Sequence, residues 1–272
     1  MFKPMYLRTA ILLSTHITDD FVLNKYRRLT KELDILTYDV ILLVNKDEDL
    51  SLDTMPQDIK CFYTDSDSID ALQYAPIEDT LLPGSCHFPL LRFFLDNPFY
   101  QHYWFIEYDV EFTGPWSVLM DDCHEHLADY DFLSCHVERW GRKNHFWPWW
   151  HLNNRMGIPL QGCIKSFNPI CRCSNRALHI LDQYQKAGHS AHEEVIMATC
   201  FLRHGMKIGD LGGSGTFVPD GYMNKYYLSS PHEVNGGTMR YRPIYSSEEV
   251  QDCGLENKLF HPLKEENTIE YF

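Results

Sequence analysis

Several things are missing from these 272 residues, and each absence removes a class of protein. No apolar run approaches the length of a membrane span, and the stretch Ala10–Leu13 is too short for the core of a secretory leader. There is no Asn-x-Ser/Thr sequon, no G-x-x-x-x-G-K-S/T loop and no G-x-G-x-x-G turn, so P-loop nucleotidases and ordinary dinucleotide oxidoreductases are unsupported. Basic residues are scarce: 24 Lys and Arg stand against 38 Asp and Glu, a formal charge of −14. This argues against nucleic acid or an anionic membrane surface as the main partner, since both reward clustered Lys and Arg. The nine cysteines are odd in number and irregular in spacing, so they read as reduced thiols rather than a disulfide framework. Cys171-Arg172-Cys173 is too tight for a zinc knuckle, and Cys123-His124-Glu125-His126 does not place its ligands on one helix face. These features together predict a cytoplasmic chain without a transmembrane segment.

What is present is a composition 44% hydrophobic and 14% aromatic, with enough length to bury a core unaided. In the first hundred residues, short apolar runs alternate with helical periodicity. Ala10–Ser14, Val40–Val44 and Ile59–Tyr63 read as strands, while Val22, Tyr26, Leu29 and Leu33 recur at helical spacing after Asp19 and Asp20. Phe88–Phe94 reads as a helix leading into a strand over Tyr103–Phe112. A strand near Cys163–Phe167 follows, then a helix Asn175–Ala187 capped by Ser174 and closed by Gly188, then a second helix Glu193–His204, apolar on nearly every side. Strands alternating with helices predict an α/β fold with a Rossmann-like, mostly parallel central sheet flanked by helices, and ligands beyond the strands' C-terminal ends. The expected organisation is a single compact domain with two lobes, over 1–112 and 113–210, and a loop-rich extension over 211–272.

The sharpest segment is Glu107-Tyr108-Asp109-Val110-Glu111 at the end of the Tyr103–Phe112 strand. Alternation along a strand would aim Glu107, Asp109 and Glu111 to one side, where three carboxylates need a cation. Hard divalent ions such as Mg2+ and Mn2+ suit those oxygens and bridge them to phosphates. The loop after the first strand, Ser14-Thr15-His16, has no glycine to cradle a triphosphate, which weighs against a nucleotidyltransferase. Trp140, Trp147, Trp149 and Trp150 cluster in one loop. Their rings can stack on sugar C–H faces, with His145, His151 and Asn153 able to bond hydroxyls. Trp147, Trp149, Trp150 and His151 are therefore candidate acceptor-binding residues.

A buried strand ending in Glu107-Tyr108-Asp109 resembles the D-x-D motif of GT-A glycosyltransferases, with Glu at its first position. The helix Pro89-Leu90-Leu91-Arg92-Phe93-Phe94 resembles the one leading into that motif, and the order of elements is similar over roughly residues 8–210. The resemblance implies a Mn2+ or Mg2+ cofactor held by Asp109, with Glu107 near the ribose or reaching the metal through water. It implies His261 as a third ligand. Ser14, Thr15, His16 and Asn45 would meet the nucleotide. Arg92 would neutralise phosphate or contact the base, or simply pair with a surface acid. The donor would be a nucleotide-diphosphate sugar, a UDP-sugar by default, taken by 1–112 as the nucleotide-sugar-binding half or donor lobe, and the acceptor a carbohydrate hydroxyl, taken by 113–210 as the acceptor-binding half. Inverting transfer needs a base, and Ala191-His192-Glu193-Glu194-Val195 opens the buried helix where the family places it. Glu193 and Glu194 lie about 100° apart around a helix, so only one can face a pocket; Glu194 is preferred by likeness to the family's paired-acid motif. Lys264 could approach the diphosphate. A glycoside hydrolase built on two carboxylates such as Asp109 and Glu194, or a non-catalytic sugar-binding protein on the same fold, are the alternatives.

Overall fold

The computed structural model describes residues 8–46, 55–78, 81, 83–229 and 237–264. The apolar runs at the start of the chain become strand β1 (Thr9–Thr15) and strand β2 (Tyr38–Asn45), joined by helix α1 (Asp20–Glu32). Helix α1 starts where the Asp19 carboxylate accepts the Val22 N–H at 3.0 Å, and it buries Val22, Tyr26 and Leu29. Strand β3 (Cys61–Thr64) and the short helix α2 (Ser66–Asp70) precede α3 (Phe88–Asp96), which has Pro89 in its first turn and leads into β4 (His102–Glu107). These four strands are mutually parallel, β1 lying between β2 and β4.

The predicted strand Tyr103–Phe112 is broken. Strand β4 ends at Glu107, a turn closed by the Val110 N–H on the Glu107 carbonyl (3.0 Å) carries Tyr108 and Asp109, and β5 (Glu111–Phe112) continues outside the main sheet. There it pairs antiparallel with β9 (Leu259–Phe260). Helix α4 (Trp116–His126) and strand β6 (Phe132–Arg139) come next in the chain. The strand expected near Cys163 runs on to Ser174 as β7 (Ile164–Ser174), antiparallel to both β4 and β6. Helix α5 (Asn175–Lys186), helix α6 (Glu193–Arg203), strand β8 (Ile208–Asp210) and helix α7 (Ser247–Asp252) complete the described elements.

The main sheet has seven strands in the order β3-β2-β1-β4-β7-β6-β8. It is the mostly parallel α/β sheet flanked by helices expected from the sequence. Its core is continuous from Ala10 on β1 to Leu259 on β9. The reversal of order around β1 and β4, together with the antiparallel β7, leaves the ends of β1 and β4 open on one edge. Such a crevice is where open α/β sheets take ligands.

Candidate metal and sugar-transfer site

The turn after β4 and the segment after β9 meet at that edge. Asp109 is fixed by its own carbonyl, which accepts the Leu263 N–H at 2.8 Å, and this bond brings His261 over the turn. The His261 ring donates from Nδ1 to the Arg240 carbonyl at 2.8 Å, so Nε2 faces Glu107 (3.6 Å) and Asp109 (3.5 Å). Ligand atoms of all three residues lie within 4.8 Å of one another, the one such group among the described residues. Asp109 Oδ1, the oxygen that His261 Nε2 faces at 3.5 Å, is buried and has no hydrogen-bond partner. A buried carboxylate oxygen left bare is costly unless something positive meets it. Two carboxylates and an imidazole held by a backbone carbonyl fit Mn2+ or Mg2+. Burial, followed by the charge of Asp109, pushes the Glu107 carboxyl up. Burial opposes a charge on His261, but Asp109 and Glu107 outweigh it and raise the imidazole.

Glu111 does not join this group, contrary to the three-in-a-row expectation. Because the strand turns after Glu107, its carboxylate lies against Arg28 and, at 3.3 Å, Lys25 on α1.

At the start of α6 the two adjacent acids live in different surroundings. His192 caps the helix by accepting the Glu194 N–H on Nδ1 at 3.3 Å. Glu193 Oε2 accepts the Cys86 N–H at 2.9 Å and lies 3.9 Å from the His87 ring. Burial works against its charge, but His192, His87 and the Cys86 N–H together hold the carboxyl below its usual value. Glu194 Oε2 is buried with no partner. Burial first, then repulsion from Glu193 and also from Glu107, drives its carboxyl well above the ordinary range, against the pull of Lys165. The two adjacent acids therefore differ in proton affinity, Glu193 lowered and Glu194 raised.

The remaining predicted residues are placed unevenly. Ser14 stands beside Glu107 in the β1–β4 register, and its carbonyl accepts the Tyr108 N–H at 3.0 Å. Thr15 spends its hydroxyl within its own loop, on Ile17. His16 is exposed and meets Tyr108 edge-on at 5.3 Å. Asn45 lies one strand further out, accepting from Thr64 at 3.2 Å. Arg92 is engaged one helical turn on by Asp96, the surface-pair alternative rather than a contact with the acidic group. Trp149 stacks flat on His192 at 4.4 Å, and Trp147 offers a ring face to Lys165 at 4.3 Å. Trp150 is fully buried, its indole N–H donating to the Asn144 carbonyl at 2.9 Å, so it braces the loop instead of presenting a face to a sugar. His151 is exposed. The Lys264 backbone bonds Tyr245 at 3.2 Å.

Three neighbours of the site escaped the sequence reading. Lys165 is buried on β7, 3.8 Å from Glu138 and within the field of Glu194. Phe167 packs against His261, Trp147 and His136, linking the metal group to the tryptophan loop. Lys25 reaches the Asp109 turn from α1. Only Lys165 carried a signal, a cation next to Ile164 at the start of a strand buried along nearly its whole length.

No family model and no curated protein sequence matches the chain. Solved structures similar to it include an active-site mutant of LgtC, 7% identical, with 91% of this chain on 78% of that one and a TM-score of 0.43. The galactosyltransferase LgtC in complex with donor and acceptor sugar analogues covers the same shares at 7% identity and a TM-score of 0.42. Mouse xyloside xylosyltransferase 1, in its apo form, is 11% identical, with 75% of this chain on 84% of that one and a TM-score of 0.38.

Proposed function

We propose that this chain is a metal-dependent glycosyltransferase of the GT-A type, moving a sugar from a nucleotide-diphosphate sugar to an acceptor hydroxyl with inversion. The observation that carries the reading is the convergence of Glu107, Asp109 and His261, with Asp109 Oδ1 buried and without a hydrogen bond, in the same field as the unpartnered Oε2 of Glu194. Mn2+ or Mg2+ held there by Asp109, Glu107 and His261 would supply Lewis-acid stabilisation of the diphosphate leaving group. Glu194 takes the proton of the acceptor hydroxyl, for which its raised affinity suits it better than Glu193. Trp149 and the exposed His151 form the acceptor side, Trp147 being buried like Trp150 with its ring face on Lys165, and Ser14 and His16 meet the nucleotide beside Glu107. A UDP-sugar is the first donor to try. Nine free thiols accord with a cytoplasmic setting, and among the described residues no helix is long and apolar enough to cross a membrane.

Thermal unfolding with nucleoside diphosphates, each with and without Mn2+, tests this. A ligand at a hundredfold excess over its dissociation constant stabilises the folded state by about 2.7 kcal/mol. One nucleotide is expected to raise Tm only with Mn2+, and Asp109→Asn to abolish that shift while leaving the unliganded Tm near wild type. No shift with any nucleotide would move the assignment to a hydrolase or a sugar-binding protein.

A further inference from the structure

Lys25 lies in the middle of α1, far in sequence from the acidic turn, yet its side chain is 4% exposed and ends among the carbonyls of that turn. Its ammonium donates to the Tyr108 carbonyl at 2.7 Å and to the Val110 carbonyl at 2.5 Å, one on each side of Asp109. Its third contact is Glu111 at 3.3 Å, and the Phe21 ring covers it at 4.8 Å. An ammonium has three protons to donate, and three oxygen partners occupy them. Nothing is left over for a substrate. Next to it, Arg28 donates to the carbonyls of Phe112 (2.9 Å) and Gly114 (2.6 Å), continuing the row of carbonyls held from α1. The carbonyl of Asp109 is held from the opposite side, by the Leu263 N–H.

We propose that Lys25 is a positioning residue for the metal site: its ammonium clamps the two peptides flanking Asp109 and so fixes where the bare carboxylate oxygen points. The inference rests on the metal reading above. A buried lysine serving only the core would be cheaper as a leucine or methionine. Here burial of a charge is compensated by carbonyls that no backbone N–H of β4 or β5 satisfies within their own ladder. Fixing the turn matters because a cation tolerates little error in ligand placement. Partners that orient metal ligands typically change affinity by about 10–100-fold when removed.

The test reads Mn2+ affinity of the full chain from the electron paramagnetic resonance of the free ion, with no nucleotide present. Wild type is expected to bind and Asp109→Asn to lose binding. If wild type does not bind Mn2+, the metal reading itself falls, and this inference with it. With wild-type binding established, Lys25→Met is expected to weaken Mn2+ by at least about 10-fold in protein shown to be folded by circular dichroism. Lys25→Arg, which keeps donors on the same stem, is expected to recover affinity to within about threefold. A Lys25→Met protein that loses Tm but keeps its Mn2+ dissociation constant within twofold overturns the proposal while leaving the metal site standing. If Lys25→Met does not fold, Lys25→Gln, which leaves a shorter neutral donor in the cavity, is judged by the same two limits.

Discussion

Glu194 shows how far burial can move one group. Its carboxyl is raised first by burial and then by Glu193 beside it, so it loses its proton later than an exposed glutamate. A base must be deprotonated to work, and the rate of transfer is therefore expected to rise with pH along a limb displaced above the usual carboxylate range. Glu194→Gln should remove turnover, flattening that limb, and leave Mn2+-dependent nucleotide binding intact. If Glu193→Gln does this instead, the roles are exchanged. The proposed ligands Glu107 and His261 carry a second pH dependence. Glu107 and His261 both hold protons more tightly in the folded chain than in the unfolded one. The stability they lend the metal-free protein is present at low pH and is lost as pH rises through their raised values. Mn2+ must displace those protons, so its stabilising effect runs the other way. The Mn2+-induced rise in Tm is expected to be larger at pH 8 than at pH 6, and the reverse order would exclude these ligands. The sequence pointed to Glu107 and Asp109 by their place at a strand end and to Glu194 by likeness to a family motif, and the fold gathers the first two with His261 and buries the third at the start of α6. Lys25 was not legible in the sequence, since its partners lie some 83 to 85 positions away and only the fold brings them together.

Among the elements, α6 matters most, because the residues from Glu193 to Phe201 are all buried. It is tied to the sheet by Thr199, whose hydroxyl accepts the Ile164 N–H at 2.9 Å and donates to the Ile164 carbonyl at 3.1 Å. Thr199→Val keeps the shape but leaves both backbone groups buried and unpaired. Urea unfolding should show a loss of about 1–3 kcal/mol, and a loss below a few tenths would mean that the tie is not needed. The helix itself was readable as an apolar run behind two acids. Helix α4 had an equally readable face in Trp116, Leu119, Met120 and Cys123, all buried, but its charged and histidine-rich remainder drew attention away from the spacing. The break after β4 could not be read at all. Alternation continues unbroken through Glu111, and the strand is ended by a pair of cations on α1 that capture the carbonyls and the last carboxylate.

Across the whole molecule, two kinds of structure meet at the site. One side is the central sheet, with β1 and β4 buried along nearly their whole length. The other is the two-residue strand β9 with residues 261–263, attached through short pairings to β5 and through the isolated bridges Met239–His261 and Tyr245–Leu263. This second part is held by bonds to scattered loop positions, among them Leu259 N–H on Tyr226, His261 N–H on Thr238 and Leu263 N–H on Asp109, rather than by a long ladder, so it should open separately from the sheet and at lower cost. Hydrogen exchange should therefore be slow at β1 and β4 and faster at residues 259–263. Mn2+ should slow the second set selectively, the Leu263 amide on Asp109 most of all. Uniform protection by the metal would contradict a site closed by this segment. Sequence periodicity reached the sheet because each strand carries its own pattern. It could not reach the two-stranded annex, where two residues per strand are too few for any pattern to exist.

The distance along the chain between Asp109 and His261 has a consequence for the newborn protein. Synthesis delivers all seven strands of the main sheet by Asp210, so a growing chain can assemble the sheet while lacking the imidazole, the Leu263 amide and the partner of β5. Through that interval the acidic turn is present without its histidine, and core residues that follow Asp210, among them Tyr226, Tyr227 and Leu259, are still to come. On the proposed reading, the cation site is completed only when residues 261–263 emerge, so the group that would hold the ion is assembled late in translation.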